Sequence, residues 1–289
     1  MAGTIIYLED ITVDFNGFKA LHGVNFFVEY GELRVLIGPN GAGKTTLLDV
    51  ICGWVKPESG QVFFGEGKDI SRLSEHKIAR LGISRKFQTP SVFVNLTLFE
   101  NVELSLRRSE GFWGTLSSSL SEENQDRIFS VLKNIGLGEK AYARASSLSH
   151  GEKQWLELGM SIVQQPSLLL VDEPVAGMTG KEREKTGELL QTIARDRSVL
   201  IVEHDMEFVR QIAKKVTVLH EGAVLCEGSM ERVQSDPTVI EVYLGRGERG
   251  IQLVGNIPLG RFLSIGNSTK KQDVEDASSA MHIPPYQLY

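Results

Sequence analysis

The stretch Gly38-Pro39-Asn40-Gly41-Ala42-Gly43-Lys44-Thr45, continued by Thr46-Leu47-Leu48, constrains this chain more than any other. It fits the pattern G-x-x-x-x-G-K-[ST], a loop whose glycines let successive backbone N–H groups converge on phosphate oxygens. Apolar Val35-Leu36-Ile37 reads as a strand entering the loop. Leu47, Leu48 and Ile51 space as one face of a short helix leaving it, which Gly53 ends in a left-handed cap. Lys44 adds a mobile cation for the β and γ phosphates of a nucleotide, and the Thr45 hydroxyl is a ligand for the Mg²⁺ that travels with them. The helix opening at Lys44 turns the positive end of its dipole toward the same anion.

Composition sets the surroundings of this loop. At 289 residues the chain is long for one domain, so one large domain with an insertion or a tail is expected. Its 41% hydrophobic and 24% charged residues describe an ordinary globular protein with a real core. A net charge of -6 and no binding tract of Lys and Arg argue against a nucleic-acid partner. Cys52 and Cys226 stand far apart and outside any metal-ligand spacing, which favours a reducing, cytoplasmic compartment and two buried apolar side chains. The opening Met-Ala-Gly-Thr lacks the features of a secretion signal, and no apolar run approaches the ~20 residues that span a bilayer. Any membrane role is therefore expected to come through a partner.

In chain order, Thr4–Leu8, Ile11–Phe15 and Gly23–Val28 read as a small antiparallel layer ahead of the loop strand. Phe15 is either an aromatic free to stack on a purine or a core or turn residue. Ser71–Ala79 reads as a helix, and Gly82–Phe87 returns to the sheet and delivers Gln88. That glutamine is either a mobile ligand for metal or attacking water, or a solvated loop residue. From about 93 to 162 the pattern is helical. Thr97-Leu98-Phe99-Glu100 is a capping box, residues 110–119 form a Gly/Ser-rich break, and Ser121 opens a helix carrying Ile128, Val131, Leu132 and Ile135 on one face until Gly136. Leu148-Ser149-His150-Gly151-Glu152 starts another helix, with Ser149 as N-cap and Gly151 permitting close approach of a second chain.

Leu168–Val171 is the unbroken apolar run of a doubly covered strand, ending in Asp172-Glu173. Two carboxylates there are costly without partners, and in a phosphate-loop protein that strand end lies beside the nucleotide. Asp172 is then the Mg²⁺ partner and Glu173 the acceptor for a proton of the attacking water, the alternative being a structural salt-bridge pair. Lys181–Arg195 reads as a helix with Leu189, Leu190 and Ile193 inward. Val199–Val202 repeats the buried strand and ends in Glu203-His204-Asp205, where His204 either bonds the γ-phosphate or is an ordinary surface or core histidine. Val216–Leu219 and Ala223–Cys226 read as a hairpin, and Asp236-Pro237 caps a last helix running to about Leu244. After Gly245 the composition shifts, and 246–289 is expected to be a disordered tail beyond a domain spanning 1–245.

The order and spacing of the loop at 38–45, Gln88, Leu-Ser-His-Gly-Glu at 148–152, Leu-Leu-Leu-Val-Asp-Glu at 168–173 and His204 resemble the ATP-binding-cassette ATPases. That resemblance implies an α/β phosphate-loop NTPase (RecA-like) fold. Its core is a mostly parallel sheet, with an antiparallel β layer at the N-terminus and an inserted helical subdomain at about 93–162. It implies ATP and Mg²⁺ as cofactors, Phe15 as the adenine-stacking aromatic, Gln88 as the coupling glutamine, Glu173 as catalytic base and His204 as the switch histidine. It also implies a head-to-tail pair of cassettes, equal or unequal, in which Ser149 and Gly151 of one complete the site around the ATP held by Lys44 of the other. Transmembrane permease subunits would hold such a cassette at the inner face of the plasma membrane. The stretches 16–21, 85–90 and 172–179 look like the branched-chain amino acid and urea importers, and the wording of 148–157 is most similar to the urea branch. His150 stands where glycine is usual, Glu152 where glutamine is usual and Thr179 where aspartate is frequent. A cassette acting on a soluble scaffold or as a nucleotide-gated clamp is the alternative, against which the short helical insertion argues.

Overall fold

The structure is a computed structural model that describes residues 3–86, 91–107 and 120–244, all within the unit Met1–Leu253. Its centre is a six-stranded sheet in the order β10-β9-β3-β8-β7-β6. Strands β3 (Leu33–Ile37), β6 (Ile83–Lys86), β7 (Leu168–Asp172), β8 (Ser198–Val202) and β9 (Lys215–His220) run parallel, and β10 (Ala223–Gly228) returns antiparallel beside β9. Every residue of β3, β7 and β8 is buried, as continuous apolar runs require when both faces are covered. Alternate residues serve different layers. Val35, Leu169, Val171, Val199 and Ile201 join the core beneath the helices, whereas Leu36, Leu168, Leu170, Leu200 and Val202 face the core shared with the N-terminal sheet.

That second sheet has the order β2-β1-β4-β5. The expected three short strands are two long ones, β1 (Thr4–Phe15) and β2 (Phe18–Glu29), because bulges near Asp10 absorb the apparent breaks and let one strand bend on through them. β4 (Ser59–Phe64) and the short β5 (Lys68–Asp69) complete it. Arg34 is the exception in the apolar β3. Fully buried, it donates to Glu32 Oε1 at 2.6 Å and to Thr217 Oγ1 at 2.9 Å, pairs with Glu227, and lies over the Phe26 and Phe27 rings, so it ties the two sheets together.

Helix α1 (Lys44–Cys52) follows the glycine loop and ends at Gly53 with φ 76°, the left-handed cap expected there. Helix α2 runs over Glu75–Arg80, starting four residues later than the expected Ser71–Ala79. Ser71 is diverted into bonds with Asp69 and with the Val62 N–H, so its residues serve the sheet edge and Ser74 becomes the N-cap. Helices α3 (Leu98–Arg107), α4 (Glu122–Asn134) and α5 (His150–Ile162) pack together over 91–162, with the predicted capping box at Thr97 and cap at Ser121 both formed. Ile128, Val131 and Leu132 of α4 are buried on one face, and the 110–119 break lies outside the described residues. A buried pair, Lys86 Nζ to Glu157 Oε2 at 3.6 Å, joins α5 to β6. Burial pushes the lysine pKa down and the carboxyl pKa up, so each charge depends on the other.

Helices α6 (Gly180–Ile193), α7 (Met206–Ile212), α8 (Met230–Ser235) and α9 (Pro237–Leu244) complete the described chain. α7 and α8 had no counterpart among the expectations. Asp205, read as part of a strand-end triplet, is instead the N-cap of α7 and accepts from Glu207 N and Phe208 N. Among the described residues no helix is long and apolar enough to cross a membrane. The tail expected at 246–289 lies outside the described residues.

Candidate active site

Parallel register levels the strand ends. Leu36 of β3 pairs with Val202 of β8, and Val202 pairs with Asp172 of β7. At about 4.8 Å between neighbouring strands, the loop after β3 and the carboxylates after β7 stand roughly 10 Å apart on one edge of the sheet. Pockets at this edge of an open α/β sheet hold ligands because loops there diverge and helix N-termini converge.

The loop is shaped by glycines that tolerate no side chain. A Cβ on Gly38 would come within 2.2 Å of the Leu219 carbonyl oxygen, and one on Gly43, at φ 99°, within 2.6 Å of the Ala20 oxygen. Pro39, Asn40, Gly41 and Ala42 span the turn, in which the Ala42 N–H donates to the Pro39 carbonyl. Lys44 is buried, and its ammonium donates to the Gly38 oxygen at 2.8 Å and the Pro39 oxygen at 3.0 Å. Burial lowers its pKa, with Glu173 and Asp172 pulling the other way. Such a cation, held only by loop carbonyls near two carboxylates, is placed to exchange those carbonyls for phosphate oxygens. Thr45 is exposed and Thr46 half-buried in the first turn of α1.

Asp172 is buried, and Arg85 of β6 donates to its Oδ2 at 2.9 Å while its other nitrogen reaches Asp49 in α1. Burial opposes the Arg85 charge, yet its bonds to the two aspartates win and raise its pKa. Sequence reasoning passed over Arg85, although an arginine in a short returning strand of a phosphate-loop protein is itself a signal for a carboxylate partner. Beside it, burial pushes the Cys52 thiol up to about 12, so it is inert packing, as expected for both cysteines, which are free and buried.

Glu173 leaves β7 in the left-handed region, φ 45°, held by its N–H donating to the Val202 oxygen at 2.9 Å. A non-glycine residue in that conformation is strained and stays only where its surroundings fix it. His204, just past β8, places Nδ1 3.4 Å from Glu173 Oε1. Glu203, another residue that sequence reasoning left without a role, is 1% exposed. It accepts from His204 N at 2.8 Å, Asp205 N at 3.1 Å and Val175 N at 3.4 Å, thereby pinning the turns that carry His204 and follow Glu173. Burial raises its pKa against those three donors.

Phe15 ends β1 opposite Phe18 across the Asn16-Gly17 turn, and both rings are exposed. The same hairpin supplies Ala20 and Leu21 at the back of Gly43, so an exposed aromatic sits on the strand pair that braces the loop. Gln88 lies outside the described residues. Ser149 caps α5 in a full capping box with Glu152, whose Oε1 is also 2.6 Å from Lys140. Ser149 bonds to Glu152 and Glu182. Gly151, expected to admit a second chain, is approached by its own: a Cβ there would meet Glu182 Oε1 at 2.5 Å. The structure thus assembles Lys44, Asp172, Glu173 and His204 at one edge of the sheet.

A glycine loop and lysine level with a strand-end Asp-Glu pair and histidine is suited to a nucleoside triphosphate. The family model for ABC transporters matches residues 21–176. The chain belongs to the ATP-binding-cassette transporter ATPases. A second model, for branched-chain amino acid ATP-binding cassette transporters, matches residues 223–249 of the cassette. The cassette is 35% identical over 257 residues to the high-affinity branched-chain amino acid transport ATP-binding protein BraF of Pseudomonas aeruginosa, covering 85% of this chain and 99% of that one. It superposes with a TM-score of 0.76 and 31% identity on the crystal structure of the ADP conformation of an ATP-binding cassette of an ABC transporter, covering 84% of this chain and 99% of that chain. The dimeric, post-hydrolysis structure of another cassette bound to ADP and Pi matches at TM-score 0.66 and 26% identity, over 78% of this chain and 98% of that one. The α/β fold expected from sequence is therefore present, and the cassette is an ATPase of the branched-chain amino acid importer type.

Proposed function

We propose that this cassette is the motor of an importer, and that its residues divide the work as follows. Lys44 and the N–H groups of 38–46 bind the ATP phosphates, Phe15 stacks on the base, and Thr45 with Asp172 holds Mg²⁺. The fit to that ion rests on the donor set: an exposed hydroxyl and a carboxylate of which Arg85 engages Oδ2, all hard oxygens, suit an ion that keeps waters and phosphate ligands rather than one in a closed protein cage. When held by Thr45 and Asp172, Mg²⁺ would supply positive charge that offsets the charge developing on the phosphates. Glu173 accepts a proton from the attacking water, and His204 orients Glu173 or the terminal phosphate. Gln88 reports the state of this site to the rest of the domain, spanning 1–245, and 246–289 is a tail outside the chemistry.

The observation that carries this reading is the strand-end grouping of Lys44, Asp172, Glu173 and His204. Ser149 and Gly151 serve the nucleotide of a second cassette in a head-to-tail dimer, a reading that the dimeric form of a similar cassette supports. The dimer works at the cytoplasmic face of the plasma membrane through permease subunits. For the solute, the wording of 148–157, His150 included, favours urea, while the family of 223–249 favours a branched-chain amino acid. ATPase stimulation in membranes holding the full complex decides: urea-dependent stimulation supports the first, leucine-dependent stimulation replaces it with the second, and hydrolysis recovered only with soluble assembly proteins removes the importer reading.

A further inference from the structure

Glu182, in the first turn of α6, reaches in two directions. Its Oε2 accepts from Thr179 N at 2.9 Å and Thr179 Oγ1 at 2.8 Å, closing the capping box of α6. Its Oε1 accepts from Ser149 Oγ at 3.2 Å and fills the space beside Gly151. A second bond, His150 Nε2 to the Ala176 oxygen at 3.2 Å, fastens the same turn to the loop that follows Glu173. Both ties use residues at or beside positions where this chain departs from the usual cassette wording, His150 and Thr179. The Thr179 donors hold the Glu182 carboxyl below the usual range, so it is an anion at neutral pH.

A serine hydroxyl has one proton to donate. While Ser149 gives it to Glu182, none remains for a phosphate oxygen, and a carboxylate beside Gly151 repels an incoming anion. We propose that Glu182 occupies, within its own chain, the place at Ser149 and Gly151 that the terminal phosphate of a partner cassette's nucleotide takes, and so acts as a brake on closure that ATP has to displace. This rests on the reading that Ser149 serves the partner's nucleotide. The brake keeps the turn at 149–151 shaped in the open state and raises the ATP concentration needed to close the pair. Glu182 is a positioning residue here, acting through Ser149.

The test is Glu182→Gln, because glutamine at the third position of a helix still closes a capping box while losing the charge. In the transporter assembled with its membrane subunits, the ATP concentration for half-maximal hydrolysis is expected to fall roughly three- to tenfold at low salt, and by less at about 0.5 M salt. ATP affinity of the isolated cassette, measured by calorimetry, stays at the wild-type value. A half-maximal concentration that is unchanged or raised overturns the brake, as does an equal gain in the isolated cassette. Ser149→Ala separates the underlying reading: wild-type turnover in that variant shows that Ser149 has no part at a nucleotide, and both proposals fall together.

Discussion

His204 Nδ1 stands 3.4 Å from Glu173 Oε1, joining the second residue beyond β8 to the first beyond the adjacent β7. Neither is drawn there by local sequence. β7 and β8 are neighbours in level register, and the left-handed turn at Glu173 and the Glu203 carboxylate fix the loops on which the two side chains ride.

From that pairing, Glu173→Gln is expected to slow phosphate release by roughly 10²-fold or more, since the amide cannot accept the water's proton. ATP affinity is retained. Wild-type release in a single-turnover assay would remove Glu173 as the base.

Lys44→Ala removes a buried cation, held by the carbonyls of the glycine loop, to which the proposed function assigns the phosphates. Loss of a charge-assisted bond to an anion is worth a factor of about 10 to 100 in affinity. Isothermal calorimetry with Mg-ATP measures it, and an unchanged dissociation constant would place the phosphates elsewhere.

Arg85→Met leaves Asp172 and Asp49 without their shared partner in a largely buried setting. Breaking a pair of this kind costs about 3–5 kcal/mol. Urea unfolding is expected to show that loss, and Arg85→Lys restores only part of it, because an ammonium cannot reproduce the two-armed contact. Stability equal to wild type would mean that the aspartates find other donors.

Glu203 gives a pH signature. Its folded pKa lies above the ordinary 4.5, with burial the first cause, so the folded state holds a proton that the unfolded chain has already released. Stability from this group is therefore present below pH 4.5 and is lost as pH rises through the higher folded value. Glu203→Gln abolishes that slope. The melting temperature of the variant relative to wild type is expected to rise between about pH 4.5 and 7, and a difference constant across that range would show that the carboxylate titrates normally.

What could be read from the chain follows from how local each signal is. The glycine loop, the capping box at Thr97, the N-cap at Ser149 and the left-handed cap at Gly53 are set within a few residues, and all form as read. The apolar runs at 35–37, 168–171 and 199–202 announce doubly covered strands, because only a buried strand needs both faces apolar. Bulged β1 escaped, since a bulge and a turn look alike in composition. The shortened α2 escaped because Ser71 bonds to a neighbouring strand rather than within its own helix.

The sequence alone determined the phosphate loop, the strand-end carboxylates and the class of sheet that carries them, all through spacing along a short piece of chain. Tertiary structure decided that Arg85 serves Asp172, that Glu203 ties Val175 to the turn under His204, and that Glu182 lies beside Gly151. Those contacts join residues 28 to 87 positions apart, Glu203 and Val175 at the near end and Arg85 and Asp172 at the far one. Which side chains meet across such distances is fixed by strand order and helix packing, and one chain's periodicity carries no record of either.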